Sequence, residues 1–134
     1  MRVGTAREAA RDWVARHGRA LPGFAGAYLS GSTVGLDAAA TLSPYADVDL
    51  VVVLDTPQPP PRPGKFRYAG ALLEVTCEPW AALASAHDVL GDYHLAPPLA
   101  RADTLIADPD GRLAALGAEV ARGFARRGHV LRRC

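Results

Sequence analysis

One run, Asp47-Val-Asp-Leu-Val-Val-Val-Leu54, constrains the fold more than any other part of the chain. As a strand it places Asp47, Asp49, Val51 and Val53 on one side and Val48, Leu50, Val52 and Leu54 on the other. Apolar residues on both sides describe a central strand covered on both faces. Two carboxylates at its start then share one side, roughly 6–7 Å apart at their bases.

The rest of the chain supplies neighbours for this strand. Thr5 and Glu8 form a capping-box pattern ahead of a helix over Thr5–His17. Ala6, Ala10, Trp13, Val14 and His17 recur at helical spacing, Asp12 and Arg16 form an i,i+4 pair, and Gly18 is a stop. Trp13 reads as core packing. After the Leu21-Pro22-Gly23 turn, Phe24–Ser30 reads as a strand, broken by Gly31-Ser32-Thr33. A short helix over Thr33–Leu36 and a loop over Ala38–Ala46 are expected next. Five prolines between Pro57 and Gly64 exclude helix and inner strand. That segment reads as a semi-rigid surface loop, with a proline-motif ligand for a partner domain as the alternative.

Phe66–Ala69 and Ala71–Glu78 read as strands joined at Gly70. Leu73, Val75 and Cys77 face one way, and Leu72, Glu74, Thr76 and Glu78 the other, so Glu74 sits mid-strand among apolar neighbours. Pro79 suits the first turn of a helix with Trp80, Leu83 and Ala84 inside, and Glu78 suits its start. The His87–Leu95 stretch fits no single element. Thr104–Ala107 reads as an edge strand. Asp108-Pro109 predicts the start of a last helix, with Leu113, Leu116, Val120 and Phe124 as its apolar stripe and Arg122, Arg126 and Arg127 near its end. Alternating helices and strands predict an α/β (α+β) class, with a mixed central β-sheet flanked by helices.

A chain of 134 residues makes one domain, 1–134, large enough to bury a core. A net charge of +1 gives no reason to expect a nucleic-acid partner. No apolar run approaches membrane-spanning length, and Met1–Ala10 lacks the apolar core of a signal peptide. Cys77 and Cys134 are too few for a disulfide scaffold, so a cytoplasmic location with free thiols is expected. Cys77, on the Leu73 and Val75 side, reads as a small buried apolar residue.

Three features carry chemistry. Asp47 and Asp49 can converge on a hard cation such as Mg²⁺, which favours oxygen ligands and retains waters and substrate phosphates. Taken alone, the pair is more often a solvated strand end. Gly31-Ser32 lets backbone N–H groups and a hydroxyl approach a phosphate, though an ordinary turn looks the same. His87, Asp92, Tyr93 and His94 match no zinc spacing and read as loop and surface residues.

The order of these features is more specific than any one of them. An apolar strand, Ser30-Gly31-Ser32, fourteen intervening residues, then Asp47-Val48-Asp49-Leu50 resembles the nucleotidyltransferase superfamily that includes DNA polymerase beta, the aminoglycoside nucleotidyltransferases and the minimal nucleotidyltransferase antitoxins. Leu72-Leu73-Glu74-Val75 matches the strand that carries the family's third carboxylate. Ile106-Ala107-Asp108-Pro109-Asp110-Gly111-Arg112-Leu113 is similar to the strand-to-helix junction of aminoglycoside-type members. The spacer is slightly longer than the family's usual range, Ala46 stands where serine commonly precedes the first Asp, and Glu replaces the third Asp of polymerases.

The resemblance implies a nucleotidyltransferase-like fold and transfer of NMP from an NTP, expected to be ATP, to a hydroxyl on a small aminoglycoside-like molecule or a protein side chain. It implies Asp47, Asp49 and Glu74 as catalytic residues and Mg²⁺ ligands, and Gly31, Ser32 and Thr33 as nucleotide-binding residues. Aminoglycoside-type enzymes add a C-terminal helical domain for the acceptor. The chain is therefore expected to be a minimal domain or the N-terminal part of a longer two-domain protein. The alternative is a catalytically inactive nucleotide-binding or interaction module, or an antitoxin-like partner of another protein.

Overall fold

The computed structural model of the protein describes residues 1–83 and 104–133, with side chains described up to residue 123. Helix α1 (Val3–Trp13) runs into a wider helical turn, Val14–Gly18. Strands β1 (Phe24–Ser30), β2 (Val48–Leu54), β3 (Gly64–Tyr68), β4 (Ala71–Pro79) and β5 (Leu105–Ala107) form one sheet, and helix α2 (Arg112–Arg133) ends the described chain. The sheet order is β3-β4-β2-β1-β5. Strand β2 pairs parallel with β4 and antiparallel with β1; β3–β4 and β1–β5 are antiparallel. The protein is thus an α+β fold on a mixed five-stranded sheet, with β2 at its centre.

The doubly apolar pattern of β2 has the consequence expected of it. Val48, Leu50, Val52 and Leu54 pack with Ala6, Ala10, Trp13 and Val14 of the α1 segment and with Leu29, Leu73 and Val75. Val51 and Val53 join Ala25 and Tyr28 against Leu113, Leu116 and Val120 of α2 on the opposite face. Fully burying one Leu or Val side chain contributes about 1.5–3 kcal/mol, so the two clusters fix both helices to the sheet. Gly26 permits the closer of these contacts: a Cβ there would lie 2.5 Å from Leu113 Cδ1 and 2.8 Å from the Ala107 carbonyl oxygen.

Several local expectations shift. Helix α1 begins two residues before Thr5, so the Thr5–Glu8 capping box does not form; no side chain caps the helix at Arg2. Its first donors instead meet loop carbonyls, Val3 N–H to Ala40 at 2.9 Å and Gly4 N–H to Ala38 at 2.8 Å. The loop ahead of Asp47 therefore serves as the helix cap. Asp108 does cap α2, its carboxylate accepting from the Leu113 and Ala114 N–H groups at 2.9 Å each. Pro109 lies in the intervening turn rather than at the first helical position, because Gly111 (φ +71°) reverses the chain before Arg112. Pro79 is the last residue of β4, and Trp80–Leu83 is a 3₁₀ turn with Leu83 buried. Trp13 and Cys77 are core residues, and Asp12 and Arg16 pair at 3.0 Å. The expectations for Ala84, His87–Leu95 and Cys134, and for the side chains of Phe124, Arg126 and Arg127, lie outside the described residues. No helix among the described residues is long and apolar enough to cross a membrane.

Candidate functional site

Strand register builds the site. In the β2–β4 pair Asp49 lies opposite Glu74; in β1–β2 Ser30 lies opposite Asp49; in β3–β4 Lys65 lies opposite Glu74. Residues directly opposite share a face of the sheet, so Lys65, Glu74, Asp49 and Ser30 form one row across four strands. Asp47 precedes β2 by one residue and returns to the same side as Asp49. One ligand oxygen from each of Asp47, Asp49 and Glu74 lies within 4.8 Å of the others, with all three residues partly buried. Strand parity alone suggested the aspartates; the parallel β2–β4 register adds Glu74.

The Gly31 turn closes on this cluster. Gly31 has φ +74°, a conformation that side-chain-bearing residues seldom adopt. A Cβ at this position would fall 1.8 Å from Asp49 Oδ2, so glycine's bare Cα is what lets the backbone lie against the carboxylate. The short helix expected over Thr33–Leu36 is instead a pair of turns, with the Val34 N–H bonded to the Gly31 carbonyl and the Leu36 N–H to the Thr33 carbonyl. Arg7 of α1 holds this turn. Its Nη2 donates to the carbonyl oxygens of Thr33 and Leu36 at 2.8 Å each, fastening the turn to the helix surface. Gly31 and Ser32 are exposed, whereas Thr33 is 3% exposed and belongs to the turn's interior.

Charges in the cluster are unequal. Among the described residues three carboxylates meet one ammonium: Lys65 Nζ is 2.9 Å from Asp47 Oδ2. The Lys65 hydrogen bond holds the Asp47 carboxyl below its ordinary range. Among the described residues Asp49 has no such ammonium partner. Its burial, then the neighbouring Asp47 charge and the hydrogen bond and charge of Glu74, push it up to about 6. Burial disfavours an ionised carboxylate, and a like charge nearby disfavours it further. A divalent cation with oxygen ligands would reverse both effects, so the donor set fits a hard metal such as Mg²⁺.

Lys65 was not among the sequence candidates, although its position was readable. It is the chain's one lysine. A two-residue turn at Ala69-Gly70 pairs Tyr68 with Ala71 and, three steps on, Lys65 with Glu74. Beside Glu74 an open cleft of about 430 Å³ runs along β4, bounded by Pro60, Pro61 and Arg62 and by Thr76 and Glu78. Comparison with protein-family models, with characterised proteins and with solved structures gave no match.

Proposed function

We propose that the protein is a nucleotidyltransferase-like domain that moves NMP from an NTP to a hydroxyl acceptor. The observation that carries this reading is the convergence of Asp47, Asp49 and Glu74 within 4.8 Å beside the Gly31 turn. Asp47, Asp49 and Glu74 would hold Mg²⁺. When bound, the metal supplies positive charge to the triphosphate and to the oxygens that attack and leave. Backbone N–H groups at Gly31 and Ser32, with the Ser32 hydroxyl, would donate to the outer phosphate oxygens. Glu74 would complete one metal site or take the acceptor's hydroxyl proton. The acceptor oxygen forms a bond to the α-phosphorus, the bond to the bridging oxygen breaks, and pyrophosphate leaves. The cleft along β4 offers room next to Glu74 for base or acceptor.

A second reading is favoured by the Lys65–Asp47 pair: a non-catalytic nucleotide-binding module in which lysine permanently replaces the metal. Incubation with α-labelled NTPs, Mg²⁺ and a panel of amino-sugar and protein acceptors separates the two. Label transfer that is lost in Asp49→Asn supports the enzyme. Nucleotide binding with no transfer to any acceptor supports the module.

A further inference from the structure

Lys65 occupies an uncommon place. It stands on edge strand β3, opposite Glu74, and reaches across the row to Asp47, the carboxylate that borders the strand rather than one inside it. Its side chain is 53% exposed, whereas that of Asp47 is 23% exposed. The pair therefore joins a more exposed ammonium to a less exposed carboxylate. A lysine is a compact point charge on a flexible four-carbon stem, suited to changing partners. A structural role for such a pair would be weak, since exposed ion pairs contribute little. A chemical role is stronger, because the same Asp47 oxygen cannot serve the ammonium and a divalent cation at full strength.

We propose that Lys65 is an internal counter-cation that holds Asp47 until metal and nucleotide arrive together, making metal binding conditional on the triphosphate. This inference rests on the metal–nucleotide reading of the same carboxylates. Without nucleotide, an incoming divalent ion must displace the ammonium from Asp47 and then remain beside it, at a Coulombic cost. With a triphosphate bound at the same carboxylates, the released ammonium would gain an anionic partner in place of Asp47. Metal and nucleotide then bind with positive coupling, and by linkage each strengthens the other by the same factor. Such ordering would keep the site from filling with metal when no substrate is present.

The test is calorimetric titration of the full chain with Mn²⁺, alone and with an NTP whose α–β bridging oxygen is replaced by methylene. The wild type, Lys65→Gln, Lys65→Arg and Asp49→Asn are compared. The expected result is that Lys65→Gln binds Mn²⁺ alone about tenfold more tightly than the wild type and loses most of the nucleotide-driven gain. Lys65→Arg should restore weak binding of metal alone. Equal Mn²⁺ affinity in Lys65→Gln and wild type, with Asp49→Asn still abolishing binding, overturns the role of Lys65 and leaves the metal site standing. Absence of Mn²⁺ binding in every variant, with and without nucleotide, overturns the metal reading and this inference with it. Circular dichroism of Lys65→Gln establishes that the variant is folded; the exposed side chain leaves the core unchanged.

Discussion

Two groups of ionisable side chains lie on opposite sides of the same sheet, and they are built on different terms. On the α1 side Asp12 accepts from the Tyr68 hydroxyl and pairs with Arg16, while Tyr68, His17, Trp13 and Phe66 stack around them. There one carboxylate has two donors, and its pKa is lowered, first by the Tyr68 hydrogen bond and then by Arg16. On the other side three carboxylates share one ammonium, and Asp49 is pushed up to about 6. The first group is electrostatically complete as it stands. The second, among the described residues, carries more negative than positive charge. That contrast separates a carboxylate whose neighbours balance its charge from a cluster whose described neighbours do not.

Asp49→Asn offers the largest break in the comparison. It should lower Mg²⁺-dependent nucleotide affinity by about a hundredfold or more, because a charged metal ligand is lost. Without metal, the same change should stabilise the fold by about 1 kcal/mol, with allowance for water screening of a partly exposed group. Asp12→Asn should do the reverse, lowering the melting temperature while nucleotide binding is unchanged. Calorimetry and thermal melts of the two variants check both halves.

Gly31→Ala comes next. The positive φ alone costs a side chain about 1–2 kcal/mol, and the added Cβ must displace the Asp49 carboxylate. Lower stability should therefore come with metal affinity reduced about tenfold. Gly26→Ala makes an internal control. Crowding Leu113 and the Ala107 carbonyl should cost about 1–3 kcal/mol by overpacking, yet leave metal affinity within twofold in the folded fraction.

Acid titration should divide the two groups again. Asp49 has a folded pKa near 6, above its ordinary 3.8. Below 3.8 both folded and unfolded chains hold its proton; between the two values only the folded chain does. Its contribution to stability is thus present at low pH and is lost as pH rises through about 6. Metal affinity runs the other way, because binding must release that proton, and it should fall steeply below pH 6. Asp12, with a lowered pKa, contributes stability above 3.8 that is lost as pH falls through its folded value. Melting curves with and without Mg²⁺ from pH 3 to 8 would resolve the opposing trends.

The smallest effect belongs to the turn that sets the Lys65 register. Ala69 sits at φ +51° next to Gly70 at +82°. Ala69→Gly should stabilise the hairpin by about 0.5–1 kcal/mol in urea melts. Metal affinity should not move, because the Lys65–Glu74 pairing is unchanged.

Much of this arrangement was legible in the sequence, for identifiable reasons. The apolar content of both faces of Val48–Leu54 placed β2 at the sheet centre, and period-two parity put Asp47 and Asp49 on one side and Glu74 away from the core. Long-range contacts were not legible. Nothing local announces that Arg7 fastens the Thr33–Leu36 turn, or that the Ala38–Ala40 carbonyls cap α1 in place of Thr5. Those bonds join segments about thirty residues apart, which local sequence pattern does not register. Lys65 falls between the two cases: its place followed from hairpin register, but its use of Asp47 depends on a flexible side chain.

The most direct test of the proposed metal–nucleotide site is a thermal melt of the wild-type chain with ATP, with Mg²⁺, and with both. ATP and Mg²⁺ together should raise the midpoint by about 5–10 °C at a hundredfold excess over Kd. ATP alone should raise it far less, and Asp49→Asn should remove the difference. A shift with ATP that is the same with or without Mg²⁺, or that survives Asp49→Asn, would contradict the assignment of Asp47, Asp49 and Glu74 as a metal centre.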